Sequence, residues 1–158
     1  MPKTLAFAAA VLAFAAGCAH APAAARSPKE EAHALLKANR PEEAAPLLLK
    51  LHLADPGDLD VARWLVDAHV KAGTTDQLLP RLSAPWPGRE EVRHYMLGLL
   101  RFGRSAGEAK PAIEELQQAV ALSPRAAEFH YRLGLVLLET EAYPLAAAEL
   151  KQVRELQP

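Results

Sequence analysis

The side chains in this chain that could do chemistry are six histidines, four pairs of adjacent glutamates and one cysteine. His20, His33, His52, His69, His94 and His130 would serve as bases or metal ligands if the fold gathered them. No His-Glu-x-x-His run occurs, and a lone cysteine makes Cys-x-x-Cys impossible, so neither zinc spacing is present. The carboxylates stand as Glu30-Glu31, Glu42-Glu43, Glu90-Glu91 and Glu114-Glu115. Neighbours on a helix point about 100° apart, which suits solvated faces or first-turn charges rather than an acid–base pair. There is no glycine loop to cradle phosphate and no nucleophile elbow. The expectation is a protein that is not an enzyme, with no catalytic residue, no metal and no cofactor.

What must position these residues is visible in their neighbourhoods. His94-Tyr95-Met96-Leu97-Gly98-Leu99 is echoed by His130-Tyr131-Arg132-Leu133-Gly134-Leu135. Ala112, Leu116, Ala119 and Pro124 follow the first, and Ala146, Leu150, Val153 and Pro158 stand 34 residues later. Ala44, Leu48, Leu51 and Pro56 precede the first set by 68 residues, or two periods. Ala62, Leu65, Val66 and Gly73 fill the interval. A period of about 34 residues with two helices per unit marks a stacked helical repeat. The units are read as residues 25–56, 57–90, 91–126 and 127–158, the third carrying two extra residues around Gly103–Gly107. One such unit cannot bury its own apolar face and depends on its neighbours.

Local patterns agree with an all-α chain. Ser27-Pro28-Lys29-Glu30 has the cap, first-turn proline and returning acid of a capping box. Asp55-Pro56 and Ser123-Pro124 are expected to open the first helices of units two and four in the same way. Pro41, Pro111 and Pro144 fall just inside second helices, where a missing donor costs nothing. Pro80 and Pro85 should leave the second helix of unit two short or kinked. Gly98 and Gly134 share one repeat position, which implies close approach of paired helices there. His94 and His130 also share a position and are read as packing residues rather than a proton-sensitive pair. Trp64 is assigned to the core, and so is Trp86, whose rival role would be an exposed anchor.

Leu-Gly, an alanine about a dozen residues on, then Leu, Ala and a closing Pro resemble the tetratricopeptide repeat. The resemblance covers residues 27–158, the second unit being degenerate; His94, His130 and Ala62 stand at the family's Trp position. It implies an α-solenoid of about four units whose first helices line a concave groove. Carried over position by position, the groove holds Lys29, His33 and Lys37, then Arg63, Asp67 and Lys71. It continues through Tyr95, Leu99 and Phe102 to Tyr131, Leu135, Leu138 and Glu139. Its start is polar and mostly basic, and its end is apolar and aromatic. That end suits an amphipathic helix or apolar peptide.

Residues 1–17 are a leader in this reading. Lys3 precedes Leu5 to Ala16, a run without charge that falls short of the roughly 20 residues a membrane span needs. Ala15-Ala16-Gly17-Cys18 resembles the bacterial lipoprotein processing site, which implies cleavage before Cys18 and acylation of that cysteine. The rival cleavage, after Ala19-His20-Ala21, is disfavoured by Pro22. Several acyl chains on one residue would hold essentially permanently, at about 0.8 kcal/mol per buried methylene. Ala19, where the family's inner-membrane retention signal has Asp, points to the periplasmic face of the outer membrane. Residues 18–26 then form the lipidated cysteine and its tether.

A net charge of −1 leaves no field to draw in nucleic acid. One cysteine excludes an internal disulfide. The function expected is an adaptor holding a protein or peptide of a cell-envelope assembly, without nucleic acid. The alternatives are a self-associating repeat module and, behind it, a small envelope enzyme. Because the chain stops at Pro158 without a polar capping helix, a homodimer or a partner docked on the last unit is also expected.

Overall fold

In a computed structural model of the chain, residues 26–84 and 89–157 are described. The leader, Cys18, the tether up to Ala25, Trp86 and Pro158 lie outside the described residues. Among those described there are eight α-helices and no strand. They are α1 (Pro28–Lys37), α2 (Pro41–Ala54), α3 (Leu59–Lys71), α4 (Thr75–Ser83), α5 (Glu90–Arg104), α6 (Ala109–Leu122), α7 (Ala127–Glu139) and α8 (Tyr143–Leu156).

The helices pair in chain order, α1 with α2 through α7 with α8, and each second helix also packs on the next first helix. First helices touch one another along the chain, α1 with α3, α3 with α5 and α5 with α7. Among the described residues no second helix touches another second helix. Closer spacing of the first helices puts them on the inside of the curve.

One apolar cluster runs through the stack, from Ala32 and Leu36 through Leu65, Tyr95 and Leu116 to Leu133 and Ala146. Repeat-position glycines let helices within a unit close on each other. A Cβ on Gly98 would stand 2.6 Å from Cγ of Leu116, and one on Gly134 would stand 3.0 Å from Cδ2 of Leu150.

The turns within units are repeated as well. Asn39, Gly73 and Glu141 have φ of 55°, 66° and 60°, each two residues past the end of α1, α3 or α7. At each turn the next amide reaches back five residues: Arg40 N–H to Leu35 O, Thr74 N–H to His69 O and Ala142 N–H to Leu137 O, all at 2.9 Å. This satisfies carbonyls that the helix end would otherwise leave unpaired. Unit three replaces the device with a 3₁₀ turn, Ala106–Glu108, in the region of its two extra residues.

Ser27 does form a capping box with Glu30. The other two expected openings begin three residues later. Asp55 is spent in the turn, accepting the Gly57 N–H at 3.0 Å, and Asp58 caps α3 by accepting from Asp60 and Val61, both at 3.1 Å. In α7, which starts at Ala127, no side chain caps the N-terminus. Pro80 does not end α4, which runs on to Ser83, but the helix is short, 9 residues against 14 for α2.

Candidate functional site

On the concave side, Arg63, Val66, Asp67 and Val70 of α3 face Leu99, Phe102 and Gly103 of α5 and Arg132 of α7 across a cleft of about 280 Å³. Residues at i, i+4 and i+7 of α3 share one helical face, so three helices suffice to build the walls. The superhelix curls far enough for unit four to reach unit two: Arg63 Nε lies 3.9 Å from Glu128 Oε1. The same oxygen accepts from Arg132 Nε at 2.8 Å and from the Tyr95 hydroxyl at 2.8 Å. Asp67 is held by Lys71 at 2.8 Å. The cleft therefore offers apolar side chains beside two guanidiniums that both approach Glu128, Arg63 also pairing with Asp60 at 3.1 Å. A larger hollow of about 510 Å³ lies between α2 and the short α4, lined by Glu42, Pro46, His69, Gln77 and Arg81 among others. It is lined by α2, α4 and the end of α3, and it shares no residue with the concave cleft.

Of the groove residues expected from spacing, Arg63, Asp67, Leu99 and Phe102 come together in this cleft. Lys29 and His33 gather further along around Trp64. The His33 and Trp64 rings stack at 4.4 Å and 8°, with Lys29 Nζ 5.5 Å and the Arg63 guanidinium 6.0 Å from the indole centroid. Trp64 is thus a half-exposed platform packed on the core rather than a core residue. The bond from Lys29 to Asp58, 2.6 Å long, holds the Lys29 ammonium above its usual pKa against the smaller effect of burial. Leu135 is half-buried, and Tyr131 and Leu138 are 39% and 38% exposed.

Tyr95 does not belong to the groove. It is fully buried, its ring 5.1 Å from that of Phe129 and its hydroxyl bonded to Glu128. Helix α7 covers it, as packing of successive first helices requires. Burial first, and the Glu128 charge second, push its phenol pKa well up, so it stays neutral. Arg132 and Glu128 are site residues that are not among the expected groove residues. Their i,i+4 separation announces an ion pair, but not that curvature would carry the pair back to α3.

The two repeat histidines are clamps within their own units. His94 Nδ1 lies 2.7 Å from Glu115 Oε2, and His130 Nδ1 lies 2.7 Å from Glu149 Oε2. Glu115 and Glu149 are consequently half-buried partners rather than free outward charges. His52 and His69 are buried, and loss of solvent lowers the pKa of both. Among the described residues no three His, Cys, Asp or Glu side chains could hold a metal, and no helix is long and apolar enough to cross a membrane.

Helical hairpins stacked with a common register and a concave inner wall define an α-solenoid. Two models of the tetratricopeptide repeat family match, one described as tetratricopeptide repeat over residues 29–77 and one as TPR repeat over residues 104–141. The chain belongs to the tetratricopeptide repeat family, whose members are generally non-enzymatic protein-interaction modules. Its fold is similar to that of TTC0263, a thermophilic TPR protein in Thermus thermophilus. That pair has a TM-score of 0.59 and 23% identity over 82% of this chain and 73% of that one. MamA from Desulfovibrio magneticus RS-1 is similar with a TM-score of 0.53 and 23% identity, over 83% and 76% of the two chains. No curated protein matches the chain.

Proposed function

We propose that the protein is a membrane-tethered adaptor: Cys18 carries the lipid at the periplasmic face of the outer membrane, and the concave cleft holds a segment of an envelope-assembly protein. The observation that carries the binding reading is the convergence of Leu99, Phe102, Val66 and Val70 with Arg63 and Arg132 in one cleft. Such a surface takes an apolar side chain and, beside it, a carboxylate as a further partner for guanidiniums that Glu128 and Asp60 already engage in part. The tether supports an adaptor role because it confines the repeats to a thin layer, where two-point attachment raises effective concentration. The lipid reading rests on Ala15-Ala16-Gly17-Cys18.

The test is crosslinked co-purification of the tagged full chain from native membranes, alongside Leu99→Ser and Arg63→Ser variants. Partner bands should fade in both variants under conditions where far-ultraviolet circular dichroism shows both still folded, since Leu99 also packs on the core. Bands of undiminished intensity would remove the cleft from the proposal. Cys18→Ser should lose metabolic palmitate labelling and leave the membrane pellet; persistence of the label would end the lipid reading.

A further inference from the structure

The hollow of about 510 Å³ beside α2 and α4 has its origin in two departures from the repeat. Leu78 stands where the other units have Ala44, Ala112 and Ala146, and all four are buried. A bulkier residue at the mark where paired helices close seats α4 less tightly on α3 than α2, α6 and α8 sit on their own partners. The second departure is in the turn. Leu35, His69 and Leu137 are the residues whose carbonyls accept the amide that reaches back at the three matching turns. Unit two thus has an imidazole where units one and four have aliphatic side chains. His69 is 9% exposed, and it lines the hollow.

Hydrogen bonding fixes the tautomer of that ring. His69 Nδ1 lies 3.2 Å from the Thr74 carbonyl oxygen and 2.9 Å from the Thr74 hydroxyl. A carbonyl only accepts, so Nδ1 carries the proton and Nε2 keeps a lone pair. Burial, aided by the Arg81 charge, lowers the pKa of the ring against the opposing bond to Thr74, and the imidazole is neutral at pH 7. Nε2 has no partner among the described residues and is not sealed from the hollow. It is an acceptor held in place by the turn and still in want of a donor.

The walls continue the pattern on either side. Helix α2 brings Glu42, α3 brings His69 and α4 brings Arg81. Among the described residues neither Glu42 nor Arg81 makes an ion pair or a side-chain hydrogen bond. Ala45, Leu49 and Leu78 supply an apolar lining. The volume falls within the range of small-molecule sites.

We propose that this hollow is a binding site, separate from the concave cleft, for a short free peptide with an apolar side chain. The peptide carboxylate pairs with Arg81, the amide N–H donates to His69 Nε2, the ammonium faces Glu42, and the side chain lies against Leu49 and Leu78. A simple anion or a hydrocarbon would satisfy only part of this lining. The site stands on its own residues and does not rest on the cleft reading.

Calorimetric titration of the detergent-solubilised full chain with the dipeptide leucyl-leucine is the test, and saturable binding is expected. Binding should weaken at least about tenfold when the dipeptide ends in an amide or when the protein carries Arg81→Gln, as loss of a charge-assisted hydrogen bond requires. The ester analogue, which lacks the amide N–H, should also bind the parent more weakly. With His69→Leu, dipeptide and ester should bind alike. His69→Leu restores the residue of units one and four, and circular dichroism confirms its folding. Nitrogen-15 spectra of the parent should show the His69 Nε2 resonance shifting on saturation while Nδ1 stays protonated. Leu99→Ser in the cleft should change nothing, so failure here and failure of the cleft reading are separable. Absence of saturable binding by about 10 mM would overturn the proposal. So would equal binding of the amidated dipeptide, a dipeptide–ester difference that survives His69→Leu, or binding lost with Leu99→Ser.

Discussion

Adding one methyl at Gly98 and at Gly134 should have opposite consequences although the two residues hold the same repeat position. At Gly98 the new carbon meets Cγ of Leu116 at 2.6 Å and the carbonyl oxygen of Ala112 at 3.0 Å. Leu116 is fully buried, and the carbonyl is part of the α6 backbone, so relief requires α6 to move as a body. At Gly134 the close atoms are Cδ2 and Cγ of Leu150, both at 3.0 Å, while the Ala146 carbonyl stands off at 3.6 Å. Leu150 is half-buried, with Ala147 and Lys151 exposed beside it, and can turn outward. Both substitutions gain about 1 kcal/mol of helix propensity. Overpacking costs about 1–3 kcal/mol where the surroundings cannot adapt, and the upper part of that range fits a clash with backbone. Gly98→Ala should therefore destabilise by about 1–2 kcal/mol, and Gly134→Ala should lie between neutral and about 1 kcal/mol stabilising. A gap of about 2 kcal/mol corresponds to roughly 6–10 °C in melting temperature for a domain of this size. Urea and thermal unfolding of both variants, followed by far-ultraviolet circular dichroism, measure it. Equal shifts of the same sign would refute the reasoning, because propensity alone would then decide.

Four further outcomes follow from named residues. Tyr95→Phe removes a hydroxyl that donates to a charged acceptor and should cost about 1.5–3 kcal/mol. Tyr95→Ala should cost about 3–5 kcal/mol, whereas Tyr131→Ala should stay within about 1 kcal/mol; matching urea midpoints for the two alanine variants would contradict the burial difference. Glu141→Gly should stabilise by about 1 kcal/mol in the same assay, since φ of 60° strains a side-chain-bearing residue and suits glycine; a lower midpoint would show that the turn depends on the glutamate. His52 and His69 bind a proton less readily when folded than when unfolded, because both are desolvated. The unfolded chain then holds more protons just below the ordinary histidine value of 6.5, so their share of stability is complete above it and falls as pH drops through it. Urea midpoints should decline from about pH 7.5 to about pH 5, and a midpoint that rises on acidification would reverse the sign.

The fold is legible because its information is repeated. The Ala, Leu and Val marks of the pattern, such as Ala112 and Ala146 or Leu116 and Leu150, are buried or half-buried contacts, and their repetition makes the period plain. Helix starts are less legible. A proline after a small polar residue announces either a helix cap or a turn, and at Asp55-Pro56 the turn takes the aspartate while Asp58, an unremarkable acid in the sequence, becomes the cap. The shared position of His94 and His130 marks them as packing residues, but their carboxylate partners, Glu115 and Glu149, lie a helix away. No local pattern distinguishes a glutamate that a neighbouring helix will bind from one left in solvent.

The concave site is only partly legible because repeat position encodes register and not accessibility. Lys29, Arg63, Tyr95 and Tyr131 all hold one repeat position. Lys29 is drawn to Asp58, and Arg63 borders the cleft and leans toward Glu128. Tyr95 is sealed beneath α7, and Tyr131 faces outward. Three of these fates follow from what the next unit presents at its own first turn: acids over Lys29, Phe129 with Glu128 over Tyr95, and nothing among the described residues over Tyr131; Arg63 instead meets Glu128 two units on. Curvature adds the rest. Only because α7 curls back toward α3 does Arg132, not among the expected groove residues, join Arg63 in one wall. A site made this way is a property of the accumulated twist between units, which depends on packing at every interface. A substitution at a covered interface residue such as Phe129 should therefore reshape the cleft from a distance, while the same change at an outward position of α8 should not.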